Sequence, residues 1–335
     1  MLHFLPTAKN KFRLLIILII LLIASLIITL PLGPFGFEFD LFIHPILFVD
    51  IIKLRIGRML LAIMSGAVLG ATGSTLQAIL KNKLADPFII GVAGGAALGG
   101  SLGIVIFSSL YNISTPIFAI IGALISSFVL YQMFLPKYNF KSENILLAGI
   151  AFNMFSASLI TIMKVLLPAN KSHALLFWLI GSIQYITYTN LFFVALIVII
   201  GCKTLINLAP SIEILSQGDN EAARLGLNVN KIKKISYLIT SIILGITISY
   251  TGMIGFIGLI VPNILRIICG PNQNILLPSS MFLGAILLVL FDGLSRYSFF
   301  IFQSQIPVGA LTAFLGTPVF LWLIFKKNYI GKRYD

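Results

Sequence analysis

QGDNEAARLGLNVNKIKK, residues 217–234, is the longest stretch of this 335-residue chain that a lipid bilayer would reject. It holds two acids, a short helix-forming core from Glu221 to Leu225, a glycine at Gly226 and then three lysines. Apolar runs flank it on both sides. Across the chain 59% of residues are hydrophobic, 10% are charged, and the mean hydropathy is +1.06. Soluble domains carry about 25% charged residues. A chain this apolar cannot hide its side chains in one water-soluble core, so its solvent is lipid. Backbone groups in lipid must be satisfied within the segment or within a closed barrel. The apolar runs here are continuous and do not alternate, which indicates helices.

A span takes about 20 apolar residues, leaving room for roughly 8 to 11 of them. Ten are expected, at 13–31, 56–80, 90–108, 115–135, 144–167, 190–208, 232–251, 254–269, 276–295 and 306–326. The expected fold class is an all-α polytopic membrane protein, a single domain over 1–335. Lys9, Lys11 and Arg13 before Leu14–Leu30 resemble a signal peptide, but the run is too long and lacks a cleavage site, so it reads as a retained first span. With the N-terminus inside, 17 of the 23 Lys and Arg residues fall on the inner side. That asymmetry puts both termini, and a polar segment at about 209–231, in the cytoplasm. The net charge of +13 is explained by these flanks, and nucleic acid is not an expected partner.

Small residues recur at a spacing of four. Gly66, Gly70, Ser74 and Ala78 form one set; Gly91, Gly95, Gly99 and Gly103 form another. Each predicts a helix face where backbones approach closely. GVAGGAALGG (91–100) follows no strand, so packing is preferred to a nucleotide fingerprint. Trp178, Tyr185 and Tyr188, in the loop 168–189, suit the outer membrane interface. That loop is long enough for a short surface helix.

Catalytic constellations are absent, and no phosphate-binding G-x-x-x-x-G-K-[ST] occurs. Cys202 and Cys269 lack metal or disulfide spacing. His3, His44 and His173 do not cluster; His44 and His173 could meet outside as ligands, but nothing fixes their geometry. Asp292 is the one acid expected within a span. It is either a functional intramembrane carboxylate or half of a local pair with Arg296 at i+4. A proton-coupled carrier would show more buried ionisable groups, so the chain reads as a pathway without its own engine. Such a pathway needs a contact through which force arrives. Asp219 as N-cap, Glu221 in the first turn, Arg224 at the end and Gly226 as the stop describe a short helix, slim at Ala222 and Ala223. It is either a solvated loop or a part that fits a partner's groove. On the outer side Arg55 and Arg58 lie three apart, and Arg296 ends another span. They suit either an acidic partner or lipid headgroups.

Four stretches carry a resemblance. They are RIGRMLLAIMSGAVLGATGSTLQAILKNKLADPFIIGVAGGAALG (55–99), GDNEAARLGLNV (218–229), GMIGFIGLIVPNILR (252–266) and QIPVGALTAFLGTPVFLWLI (305–324). In collinear order over nearly the whole chain, they resemble the permeases that import iron-siderophores, haem and vitamin B12. The resemblance implies a homodimer with ten spans per subunit and a pathway between the subunits. It implies two ATP-binding subunits below, and an extracytoplasmic substrate-binding protein outside. Localisation would be the cytoplasmic (inner) membrane. This chain would bind no cofactor or metal, with ATP and Mg on the partner. Asp219, Glu221, Ala222, Ala223, Arg224, Leu225 and Gly226 would form the helix that couples to the ATPase. Asn82, Leu84, Ser142 and Glu143 would form cytoplasmic gates. Arg55, Arg58 and Arg296 would pair with acids of the binding protein. Two positions depart from the family pattern: Asn263 stands where His is frequent, and Gln305 where Glu is frequent.

Overall fold

A computed structural model describes residues 8–38, 49–88, 91–106, 111–132 and 142–331. Among them the chain forms twelve helices: α1 (Ala8–Thr29), α2 (Val49–Ile79), α3 (Val92–Ile106), α4 (Tyr111–Tyr131), α5 (Ser142–Leu166), α6 (Ala169–Ile180), α7 (Tyr188–Gln217), α8 (Asp219–Arg224), α9 (Val229–Thr251), α10 (Ile257–Cys269), α11 (Gln273–Phe302) and α12 (Val308–Gly331). The one strand pairing described is a small antiparallel hairpin, β1 (Leu32–Gly33) with β2 (Gly36–Phe37). Every expected span coincides with a helix. Six helices are long and apolar enough to cross a membrane, and four shorter apolar ones accompany them. The short surface helix expected within 168–189 is α6.

Some boundaries differ from the sequence reading. Helix α7 runs on through Pro210 to Gln217, so the polar insert begins at Gly218 and not at 209. Its apolar face continues past the proline: Ala209, Ile212 and Leu215 are all buried. Helix α2 starts at Val49 and α11 ends at Phe302, each beyond its expected limit. Trp178 is not an interface residue. It is buried, with its ring against Gly100 of α3, while Tyr185 and Tyr188 are exposed.

Helix α2 is the central element, packing on α11, α10, α7 and α9. Its glycines explain the fit. A Cβ at Gly66 would collide with the Gly284 carbonyl, one at Gly70 with the Ser280 carbonyl, and one at Gly73 with the Gly258 carbonyl. Between α3 and α4 the same holds for Gly95 against Gly122 and Gly99 against Phe118. Gly103 is buried in α3. Gly91 is different from its expected place on a helix face. It precedes α3 at φ +85, a turn conformation that side chains rarely adopt.

Helices α9 and α10 are two pieces of a broken path. Gly252 (φ +66) and Phe256 (φ +70) leave the helical region between them. The freed backbone finds partners in other irregular segments: Ser182 N donates to Thr251 O at 2.8 Å, and Gly309 N to Gly181 O at 2.9 Å. Lipid tolerates non-helical backbone only where protein buries it. Here Gly181, Gly252 and Gly309 meet with no room for side chains. Outside this core, α1 and α5 present apolar side chains outward, among them Ile20, Ile23, Met154 and Phe155.

Because α2 meets α11 backbone to backbone, Gly70→Leu should cost at least the 1–3 kcal/mol of an overpacked core. The check is thermal unfolding in mild detergent, with a clearly lowered midpoint expected; Ala223→Leu, on the exposed face of α8, should change stability by no more than about 0.5 kcal/mol.

Candidate functional site

Polar groups gather at the two ends of α2. From Arg58 to Ile79 the helix rises about 32 Å at 1.5 Å per residue, close to the roughly 30 Å hydrocarbon thickness.

At the first end three arginines tie α1, α2 and α11 together. Arg55 pairs with Glu38 at 2.6 Å and donates to Leu30 O at 2.9 Å. Arg58 Nε donates to Asp292 Oδ1 at 2.6 Å. Arg296 Nε lies 3.2 Å from Asp292 Oδ2 and its terminal nitrogens donate to Leu32 O and Thr29 O at 3.0 and 2.9 Å. The carbonyls at the end of α1, orphaned as at every helix C-terminus, thus gain charged donors. Asp292 is fully buried, and Arg55 and Arg296 are 7% and 6% exposed. Asp292 is therefore more than half of a local pair, since it also holds an arginine from another helix. The acids that these arginines meet lie within the chain itself. With its amide oxygen turned toward Arg58, Gln305 accepts from Arg58 Nη2 at 2.6 Å.

The second end is built around the turn after α2. Asn82 Oδ1 accepts from Leu84 N at 2.8 Å, Asp86 Oδ1 accepts from Phe88 N at 3.1 Å, and Asn153 donates to Phe88 O. These close a compact turn with Leu84 52% exposed and Asp86 buried. Helix α10 holds the turn from one side. Asn263 Nδ2 donates to Lys83 O at 2.9 Å, and Arg266 reaches both Asn263 Oδ1 (2.9 Å) and Gln77 Oε1 (3.0 Å). Asn263, the departure from the family pattern, thus meets the segment expected to gate. Ser142 and Glu143 open α5; their side chains lie outside the described residues, as does His44.

Helix α8 stands beside this turn. Its N-cap is Gly218 and not Asp219, which is the first helical residue. Asp219 bridges two ammonium groups, Lys81 at 2.9 Å and Lys233 of α9 at 2.5 Å. Burial alone would raise its carboxyl, but the hydrogen bonds and charges of Lys233 and Lys81 outweigh that and hold it below its ordinary value. A depressed carboxylate contributes above its unfolded pKa, and loses its contribution as pH falls through the folded one. The bridge therefore stands at neutral and mildly acid pH. At the other end of α8, Gly226 (φ +81) donates to Ala223 O and Leu227 N to Ala222 O, the paired bonds that close a helix on a left-handed glycine. Ala222 and Ala223, the two slim positions of α8, face different ways. Ala222 is buried in a small cluster with Leu215 and Ile232, because the α7–α9 hairpin closes over it. Ala223, Arg224 and Leu225 form the free face, with Leu225 68% exposed. Glu213 near the end of α7 accepts from Gln273 N, satisfying the start of α11.

Sequence reasoning missed Lys81, Asp86, Glu213 and Gln77. An Asp-Pro pair after a helix is a turn signal that could have marked Asp86. The others show no local signal, since their partners are distant in sequence. Among the described residues no group of three or more His, Cys, Asp or Glu side chains could hold a metal ion.

Residues 14–326 match the FecCD transport family. The chain belongs to that family and is a multi-pass membrane permease. It is 32% identical over 280 residues to the hemin transport system permease protein HmuU of Yersinia pestis, covering 83% of each chain. It is 33% identical over 326 residues to the Fe(3+)-citrate import system permease protein YfmE of Bacillus subtilis, covering 95% of this chain and 97% of that one. Among solved structures it is similar to a metal-chelate type ABC transporter in an inward-facing conformation, with TM-score 0.83 and 27% identity over 94% of this chain and 99% of that one.

Removing one partner of a buried ion pair costs about 3–5 kcal/mol, because a charge is left uncompensated. Asp292→Ala strands two guanidiniums and should show a loss of that size as a lowered thermal midpoint of the purified chain. Asp50→Ala, at a solvent-exposed carboxylate, should change stability by no more than about 0.5 kcal/mol.

Proposed function

We propose that this chain is the permease subunit of an ATP-binding-cassette importer in the cytoplasmic membrane, moving a metal chelate inward from a binding protein. The family match over residues 14–326 is the observation that carries the reading. Ten spans, both termini inside, fit the charge asymmetry. The chain works as a homodimer with the pathway between its two copies. Two ATPase subunits sit beneath it, and nucleotide and Mg belong to them.

The exposed residues of α8 support its role as the coupling helix. Ala223, Arg224, Leu225 and Gly226, with Glu221, form a small, polar-edged face for a soluble partner; Ala222 anchors that face from within. ATP binding favours one arrangement of the ATPase pair, and the spans change which side is open because the nucleotide binds the two states unequally. Asn82 and Leu84 with Ser142 and Glu143 form the inner gate. Docking of the binding protein at Arg55, Arg58 and Arg296 requires its carboxylates to compete with Glu38 and Asp292.

Iron-siderophore is the first choice of cargo. The relatives' names span haem, ferric citrate and vitamin B12, so haem and vitamin B12 are the alternatives within the same class. The test is uptake by cells lacking this chain, supplied separately with radioactive iron as a ferric hydroxamate, with haem, and with labelled cobalamin. Loss confined to the iron chelate is expected, and loss confined to cobalamin or haem would reassign the cargo. In complemented cells, Ala223→Trp should reduce uptake at least about tenfold, a loss of more than 1.4 kcal/mol of coupling, at unchanged membrane abundance. Full uptake with that tryptophan would remove the groove contact.

A further inference from the structure

We infer that Lys81 is a positioning residue that carries movement of α8 to the gate turn through its ion pair with Asp219. The inference rests on the proposed function and assigns a route within it.

Lys81 lies two residues past the end of α2 in a left-handed conformation, φ 51. Lysine is disfavoured there, and glycine is the residue the backbone prefers. Backbone closure of α2 runs through the same point, with Lys81 N donating to Ala78 O and Asn82 N to Gln77 O. The side chain explains a lysine at a glycine's position: its ammonium lies 2.9 Å from Asp219, the first residue of α8. The gate turn begins at the next residue. Asn82 bonds Leu84 N through its side chain and accepts Ala85 N through its carbonyl. A displacement at Lys81 therefore reaches Asn82 and Leu84 through a few residues of tightly hydrogen-bonded chain.

The other side of the turn is held by α10. Asn263 grips the Lys83 carbonyl, and the Pro87 ring packs on Gly258. Helix α8, for its part, rides on the α7–α9 hairpin through Ala222 and through the second Asp219 oxygen on Lys233. Asp219 thus joins the α7–α9 hairpin, which bears the ATPase contact, to the residue from which the turn after α2 starts. The physical route is continuous from α8 through Lys81 and residues 82–83 to Asn263, as a coupling route must be.

The experiment uses the full chain in complex with its ATPase in nanodiscs, with Leu84→Cys carrying a nitroxide. Cys202 and Cys269 are buried, so the new cysteine takes the label. The spectral change on adding ATP with orthovanadate is compared among Lys81 variants. Lys81→Gly removes the ammonium while easing the backbone, so misfolding does not confound it. The change should shrink at least about fivefold in Lys81→Gly, the lower range of typical coupling. Lys81→Arg, which keeps the charge, should restore most of it. A parental response in Lys81→Gly overturns the relay while leaving the importer intact. A parent chain that binds no ATPase overturns the importer reading, and the relay with it.

Discussion

Where α2 crosses α11, Gly66 and Gly284 each press on the other's backbone carbonyl, so the two helices come closer than any pair of side chains permits. Lipid gives helices no hydrophobic reason to associate, because its tails are as apolar as leucine. Close backbone packing supplies the attraction instead. The same contact repeats at Gly70 with Ser280 and at Gly73 with Gly258. It fixes α2 against both α10 and α11 along its length. A rod held this way keeps its two ends in a set relation, and each end carries a polar cluster.

Those clusters solve similar problems by different means. At the arginine end the charges are buried and paired within the chain, with Asp292 between Arg58 and Arg296 and Glu38 on Arg55. The arrangement is costly to break, which suits a part that must not drift. At the other end the Asp219 bridge is partly open to solvent, with Lys81 35% exposed. A screened pair of this kind is worth little to stability, so it ties the turn to α8 without locking either in place. Rigid at one end and adjustable at the other is the distribution a gated pathway requires, since a switching element must lie at the low-stability end of its structure.

The sequence made much of this legible, for reasons that lie in particular residues. The four-residue spacing of Gly66 and Gly70 showed a helix contact before any partner was known, because helix geometry puts such residues on one face. Gly91 shared that spacing but serves a turn; a positive φ leaves no trace in periodicity. The short helix α8 was visible from Glu221 and Gly226, whereas its inward face at Ala222 depends on how α7 and α9 close. The end of α7 lies beyond the expected 208, because Ile212 and Leu215 continue the buried face past Pro210. Arg58 and Asp292 are 234 residues apart, so no local pattern could pair them. The arginines read as outward-facing for that reason alone.

Extraction of a tagged copy in mild detergent, with quantification of co-purifying proteins and of ATP hydrolysis, asks whether α8 holds an ATPase. An ATPase subunit bound at about one per permease chain, and lost when α8 is replaced by a flexible linker, is the predicted result. A chain that purifies alone under conditions that keep comparable transporter complexes whole, yet still moves its cargo, would contradict it.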